Sequence, residues 1–125
     1  DVNAGVDPTF QSVHDKLNAS FINRGIVVTK YTGARGKSDT SDANAEFVGK
    51  LRKLFDDNDI VWQIGELGKV DEGGGGTVAK YVAHLGVDVV DVGVPVLSMH
   101  APFEQIAKLD IYMAYKAFCA FYNQK

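Results

Sequence analysis

Cysteine is scarce in this chain. Cys119 is the single one, so no internal disulfide can form, and a reducing compartment such as the cytoplasm is expected. Long apolar runs are missing too. None approaches the roughly 20 residues of a membrane-spanning helix, so no membrane partner is expected. There is no basic excess either. Thirteen Lys and Arg against 16 Asp and Glu give a formal net charge of -3, which leaves nucleic acid without its usual electrostatic footprint. The chain has no starting Met and no signal-peptide pattern; it opens on "DVNAG", as a processed or truncated piece of a longer protein would. Neither an HExxH motif nor a glycine run followed by GK[ST] is present, so neither signature assigns chemistry.

What is there is ordinary globular material. Hydrophobic residues make up 46% and charged ones 23% of the 125 residues. That suffices for one compact domain with a core and is too apolar for disorder. "GIVVTKY" predicts a strand over residues 25–31. "TGARGKSD" reads as a loop. An amphipathic helix follows over about residues 42–56, with Phe47, Val48, Leu51, Leu54 and Phe55 on one face and Ser41 as its N-cap. "IVWQIGE" is a second strand. A helix over about residues 77–85 stops at Gly86, a good residue to end on. "VDVVDVG" reads as a third strand and "PVLSM" as a short fourth. The last helix is expected from Pro102 to Tyr122, with proline in its first turn. Its second half, "IYMAYKAFCAFY", is apolar nearly all round and needs cover on several sides, from its own domain or from other chain. Alternating strand and helix predict an α/β fold with a mainly parallel sheet, without internal repeat or linker.

His100 is the first candidate for chemistry. It follows the apolar run "VPVLSM" and precedes "APFE", at the strand edge where open α/β sheets place ligands. Imidazole is the commonest metal ligand and the usual acid or base near neutral pH. A histidine buried at a strand end and satisfied by backbone is the plainer alternative. Glu104 can orient His100, as carboxylates do for ligating histidines, or can stabilise the first turn of a helix. Gly73, Gly74, Gly75 and Gly76 can cradle an anion, let a peptide substrate approach the backbone, or merely connect. Asp71 and Glu72 beside them weigh against a phosphate. His14 and His84 read as structural or surface residues, Arg35 and Lys37 as solvated loop charges, and Cys119 as a small core residue. Three functions stay open on this footing. They are a metal-dependent enzyme, a non-catalytic interaction module docking through its apolar C-terminal helix, and an anion- or nucleotide-binding domain using the Gly73–Gly76 loop.

Longer stretches narrow the choice. "GELGKVDEGGGGTVAKY", "DVGVPVLSMHAPFE", "KLDIYMAYKAF" and "DVNAGVDPTFQSVHDKLNASFINRGIVVTKYTG" together resemble the C-terminal part of M18 metallopeptidases, the family of aminopeptidase I and aspartyl aminopeptidase. The resemblance covers essentially the whole chain. It implies residues 1–125 to be the C-terminal portion of a three-layer αβα catalytic domain that also carries a smaller inserted domain. It further implies two zinc ions per active site, with cobalt or manganese as alternatives, and removal of N-terminal residues from peptide substrates. A homo-oligomer, dodecameric in the full-length parent, is implied as well. By position, His100 matches the last zinc-ligating histidine, and Asp1 matches the zinc-ligating aspartate that follows the inserted domain. The other ligands and the general-base glutamate lie upstream in the family. This chain is therefore expected to carry part of an active site and to be inactive alone. Aspartyl aminopeptidases resemble "DMAHAVHP" where this chain has "DVNAGVDP". Ala4 and Asp7 stand for two histidines of that subgroup, and Thr29 for a lysine of its acidic-substrate pocket. A neutral or apolar N-terminal residue is therefore expected over an acidic one.

Overall fold

The β-branched run Ile26–Thr29 is buried along its whole length, as a strand covered on both faces must be. It is the second of seven strands in a computed structural model that describes residues 1–34, 38–69 and 72–124. In chain order the elements are β1 (Asn3–Ala4), β2 (Ile26–Thr29), β3 (Tyr31–Ala34), β4 (Ser38–Asp42), α1 (Ala45–Asp57), β5 (Trp62–Ile64), α2 (Ala79–Ala83), β6 (Asp91–Gly93), β7 (Pro95–Val96) and α3 (Lys108–Tyr122). β2 lies at the centre of a three-stranded sheet, parallel to β5 on one side and antiparallel to β6 on the other. β1 runs parallel to β7, with Asn3 opposite Pro95 and Ala4 opposite Val96. The α/β class expected from the sequence is the one observed.

α1 and α3 cover one face of the three-stranded sheet. Ile26 and Val28 of β2 meet Leu51 and Phe55 of α1, Ala117 of α3 and Ile60 in one buried cluster. Phe47, Leu54, Val90 and Val92 pack against its margin. The five apolar positions picked from the helical period are thus the ones α1 turns inward. Its cap differs from expectation. Asn44 accepts the Phe47 N–H at 2.7 Å, while Ser41 is buried in β4. The cause is pairing: β3 and β4 form an antiparallel ladder with Thr32 opposite Ser41, so the chain is still extended where a helix was expected to begin. The same ladder replaces the expected loop, because the buried backbone around Thr32 and Ser41 must find partners. Arg35 and Lys37 lie outside the described residues.

Three further boundaries move. α2 is shorter than expected and ends through Gly86, whose φ is +74° and whose N–H meets the Ala83 carbonyl at 2.9 Å. Of the strand expected over residues 87–93, the part from Asp91 onward is paired, because β2 ends at Thr29, opposite Asp91. The last helix begins at Lys108, well after Pro102. Leu97 and Gln105 exchange both backbone hydrogen bonds, at 2.9 and 3.1 Å, and this bridge holds the intervening residues as a closed loop. α3 buries Asp110 and Ala117, while Tyr112, Tyr115 and Tyr122 stay exposed. Its own domain covers one side of it.

Candidate functional site

The loop closed by Leu97 and Gln105 carries His100. Ser98 and His100 both have left-handed backbones, with φ of +56° and +67°, a conformation that costs a non-glycine residue about 1 kcal/mol or more. Two hydrogen bonds hold it. Ala101 N–H meets the Ser98 carbonyl at 2.9 Å, and Glu104 Oε1 accepts the His100 backbone N–H at 2.5 Å. His100 is exposed. It is therefore not the buried, backbone-satisfied histidine of the plainer reading. Glu104 lies before α3 rather than in its first turn, so its carboxylate grips the loop backbone at His100.

Asp1 lies elsewhere. Its amino group donates to the Val92 carbonyl at 2.9 Å, and its backbone presses on Gly93, where a Cβ would stand 1.3 Å from the Asp1 carbonyl oxygen. Asp1 also lines a cavity of ≈ 20 Å³ with Asn3, Thr29, Gly75, Thr77 and Asp91. A polar network borders this cavity. Asn3 Nδ2 donates to Thr29 Oγ1 at 2.9 Å, Ser20 Oγ donates to Asn3 Oδ1 at 2.7 Å, and Thr77 Oγ1 donates to Asp91 Oδ2 at 2.6 Å. Sequence reasoning passed over Asn3, Ser20, Thr77 and Asp91. The available signal was Asp91 inside the apolar run "VDVVDVG", since a carboxylate held in a half-buried strand seeks a partner.

The glycine run is folded on itself. Gly73 donates its N–H to the Lys69 carbonyl at 2.8 Å, and Gly75 accepts the Gly33 N–H at 3.1 Å. Gly74 has φ +117°, which a side chain would strain. Glu72 pairs with Lys69 at 3.7 Å; Asp71 lies outside the described residues. Gly75 is thus the member of the run that reaches the cavity beside Asp1. The remaining candidates stand apart. His84 is exposed at the end of α2, and Cys119 is half-buried in α3. Thr9 holds the Asp7 carboxyl below its usual range through hydrogen bonds from its hydroxyl and N–H, with a smaller electrostatic contribution from His14.

Zinc takes four donors, or three and a water. Among the described residues no group of three or more His, Cys, Asp or Glu converges. Asp1 lies beside Gly93, ahead of β7, whereas His100 lies beyond its far end. An imidazole and a carboxylate are the right donor types for zinc, but this pair alone does not make a site.

Comparison with known proteins completes these observations. A family model described as aminopeptidase I zinc metalloprotease (M18) matches residues 1–122. A protein of Borreliella burgdorferi named "Probable M18 family aminopeptidase 1" is 52% identical over 124 residues, covering 99% of this chain and 27% of that protein. The crystal structure of aminopeptidase I from Clostridium acetobutylicum superposes with a TM-score of 0.94 at 47% identity, over 99% of this chain and 27% of that one. The M18 aminopeptidase structure from Thermotoga maritima does so with a TM-score of 0.92 at 48% identity, over 96% and 27%. The chain thus spans about a quarter of the length of the relatives it matches.

Proposed function

Because this chain belongs to the aminopeptidase I zinc metalloprotease (M18) family, we propose that it is the C-terminal portion of the catalytic domain of a di-zinc aminopeptidase. The full-length protein removes the N-terminal residue from peptides, with a neutral or apolar residue preferred. The observation that carries this reading is a family match over residues 1–122 to relatives of which the chain covers 27%.

Within this reading, His100 and Asp1 are the zinc donors contributed here. The left-handed backbone and the Glu104 hydrogen bond support His100, since they set an exposed imidazole on a short, closed loop. The metal, when bound, acidifies a water and polarises the scissile carbonyl. Gly75, beside the Asp1 cavity, lets a peptide backbone approach closely. Thr29 has its hydroxyl engaged by Asn3 and offers no charge to an acidic substrate. The general base and the other ligands lie upstream, so residues 1–125 are inactive alone. The reading includes a cytoplasmic homo-oligomer, dodecameric when full-length. No helix among the described residues is long and apolar enough to cross a membrane.

The test is His100→Ala in the full-length protein. Even partners outside a metal's own shell cost 10–100-fold when removed. Loss of a ligand should therefore cut turnover of neutral amino-acid anilides by at least about 100-fold and lower the bound zinc, with an unchanged circular dichroism spectrum. Wild-type turnover and zinc content in the variant would refute the assignment.

A further inference from the structure

β1 is held by a side chain as well as by its backbone. The backbone pairs with β7. The side chain is that of Asn3, which is 4% exposed. Its carboxamide donates to Thr29 Oγ1 of β2 at 2.9 Å and accepts from Ser20 Oγ at 2.7 Å. The Ser20 hydroxyl also lies 3.2 Å from the Ala4 carbonyl oxygen, and the Ser20 carbonyl accepts the Val6 N–H at 2.8 Å. Ser20 and Thr29 are themselves buried. One amide thus joins the strand that follows Asp1 to β2 and to the turn before it.

Packing confines that amide. A Cβ on Gly65 would stand 3.1 Å from Asn3 Oδ1, 3.0 Å from Ser20 Cβ and 2.5 Å from Val27 Cγ1, so the neighbouring chain passes as close as a glycine allows. Packed hydrocarbon stabilises such a position as well as a polar group does. What a buried polar cluster adds, when its members have partners, is one fixed arrangement of the segments that bear them.

The feature fixed here is the direction of Asp1. Along an extended chain, residues two apart project to the same face. Asp1 and Asn3 accordingly line the same small cavity, together with Thr29, Gly75, Thr77 and Asp91. The Asp1 backbone is seated on Gly93, which leaves no space for a Cβ beneath it. That contact sets the height of the strand, and the Asn3 amide sets its rotation about its own axis. We propose that Asn3, held by Ser20 and Thr29, is a positioning residue that aims the Asp1 carboxylate at the zinc. It does not touch the metal; it acts through the backbone of Val2. The inference rests on the reading of Asp1 as a zinc donor. It also gives the Thr29 hydroxyl a task besides leaving an acidic substrate without a countercharge.

The test uses the full-length protein without substrate. Zinc affinity is measured by chelator competition, and ligand geometry by the visible spectrum of the cobalt(II)-substituted protein. Thr29→Val keeps the branched shape and removes the acceptor, whereas Thr29→Ser keeps the hydroxyl. Groups that orient a metal ligand are worth about 10–100-fold in affinity. Thr29→Val and Asn3→Leu should each weaken zinc binding by about tenfold and shift the cobalt bands. Thr29→Ser should restore the wild-type affinity and bands. Thermal melting of the metal-free protein supplies the control. A merely structural role lowers the melting temperature and leaves affinity and bands unchanged, and that result overturns the proposal. Should Asn3→Leu fail to fold, the two Thr29 variants decide it. Asp1→Ala separates the two ideas. Zinc lost from Asp1→Ala but bound normally by Thr29→Val and Asn3→Leu refutes the positioning role and leaves the proposed function standing. Zinc bound normally by Asp1→Ala refutes the ligand assignment and this inference with it.

Discussion

Asp110 links two distant parts of the chain through its two carboxylate oxygens. It is 1% exposed. One oxygen accepts the Asn23 N–H at 2.8 Å and the other the Gly25 N–H at 2.7 Å. This ties the first turn of α3 to the turn that feeds β2. The turn needs the help, since Asn23 and Gly25 have φ of +64° and +87°. At Gly25 a Cβ would come within 2.1 Å of the Val61 carbonyl oxygen. A carboxylate also suits the N-terminal end of a helix electrostatically. Asp110→Ala leaves the buried Gly25 N–H unpaired, at about 1–3 kcal/mol, and takes the carboxylate from the part-buried Asn23 N–H as well. The expected loss is therefore about 3 kcal/mol, read as a lower denaturant midpoint; a shift below about 0.5 kcal/mol would mean that the turn holds itself. In the sequence Asp110 is one acidic residue in "KLDIYMAY", and nothing local marks its partners 85 and 87 positions away.

At the scale of the element, helices were legible where an apolar face decided them. The inward face of α1 follows from period alone, because burial of Val48, Leu51 and Phe55 is the same physics that makes the pattern. The cap was decided by the preceding hairpin instead. Ser41 and Asn44 are both good capping residues, and pairing with Thr32 keeps Ser41 extended. Asn44→Ala should accordingly cost about 1 kcal/mol, whereas Ser41→Ala should leave the Phe47 amide protected in hydrogen exchange. If Ser41→Ala exposes that amide and Asn44→Ala does not, the helix starts where the sequence alone would start it. β3 and β4 were not legible, since "TGARGKSD" has loop composition, and its described ends, in Tyr31–Ala34 and Ser38–Asp42, are strand only because they meet. The loop around His100 hides for a similar reason: a proline looks like a helix start until the Leu97–Gln105 bridge commits the chain elsewhere.

For the whole molecule the outstanding feature is apolar surface. Leu109, Tyr112, Tyr115, Phe118 and Tyr122 of α3 are each between 46% and 79% exposed, and the groove beside β6 lies on the same side as Phe118 and Phe121. Each large apolar group kept in water forgoes about 1.5–3 kcal/mol of burial. Such patches mark interfaces. Residues 1–125 in isolation should therefore self-associate. Sedimentation across a concentration series checks it, with rising mass and binding of a hydrophobic dye expected. A monomer that binds no dye at high concentration would show that the surface is tolerated as it stands.

Sequence by itself determined the α/β class, the central strand, the inward face of α1 and the family resemblance, which comparison then showed. These are local or cumulative properties: periodicity is written residue by residue, and a family match sums many weak identities. Tertiary structure alone decided that Glu104 holds the His100 backbone, that Asn3 meets Thr29 and Ser20, that Asp110 anchors the entry to β2, and that Asp1 lies beside Gly93. The Glu104 contact follows from the Leu97–Gln105 bridge that closes its loop; each of the others depends on where two separate segments come together. That is a matter of register and close packing, and neighbouring residues along the chain carry no record of it.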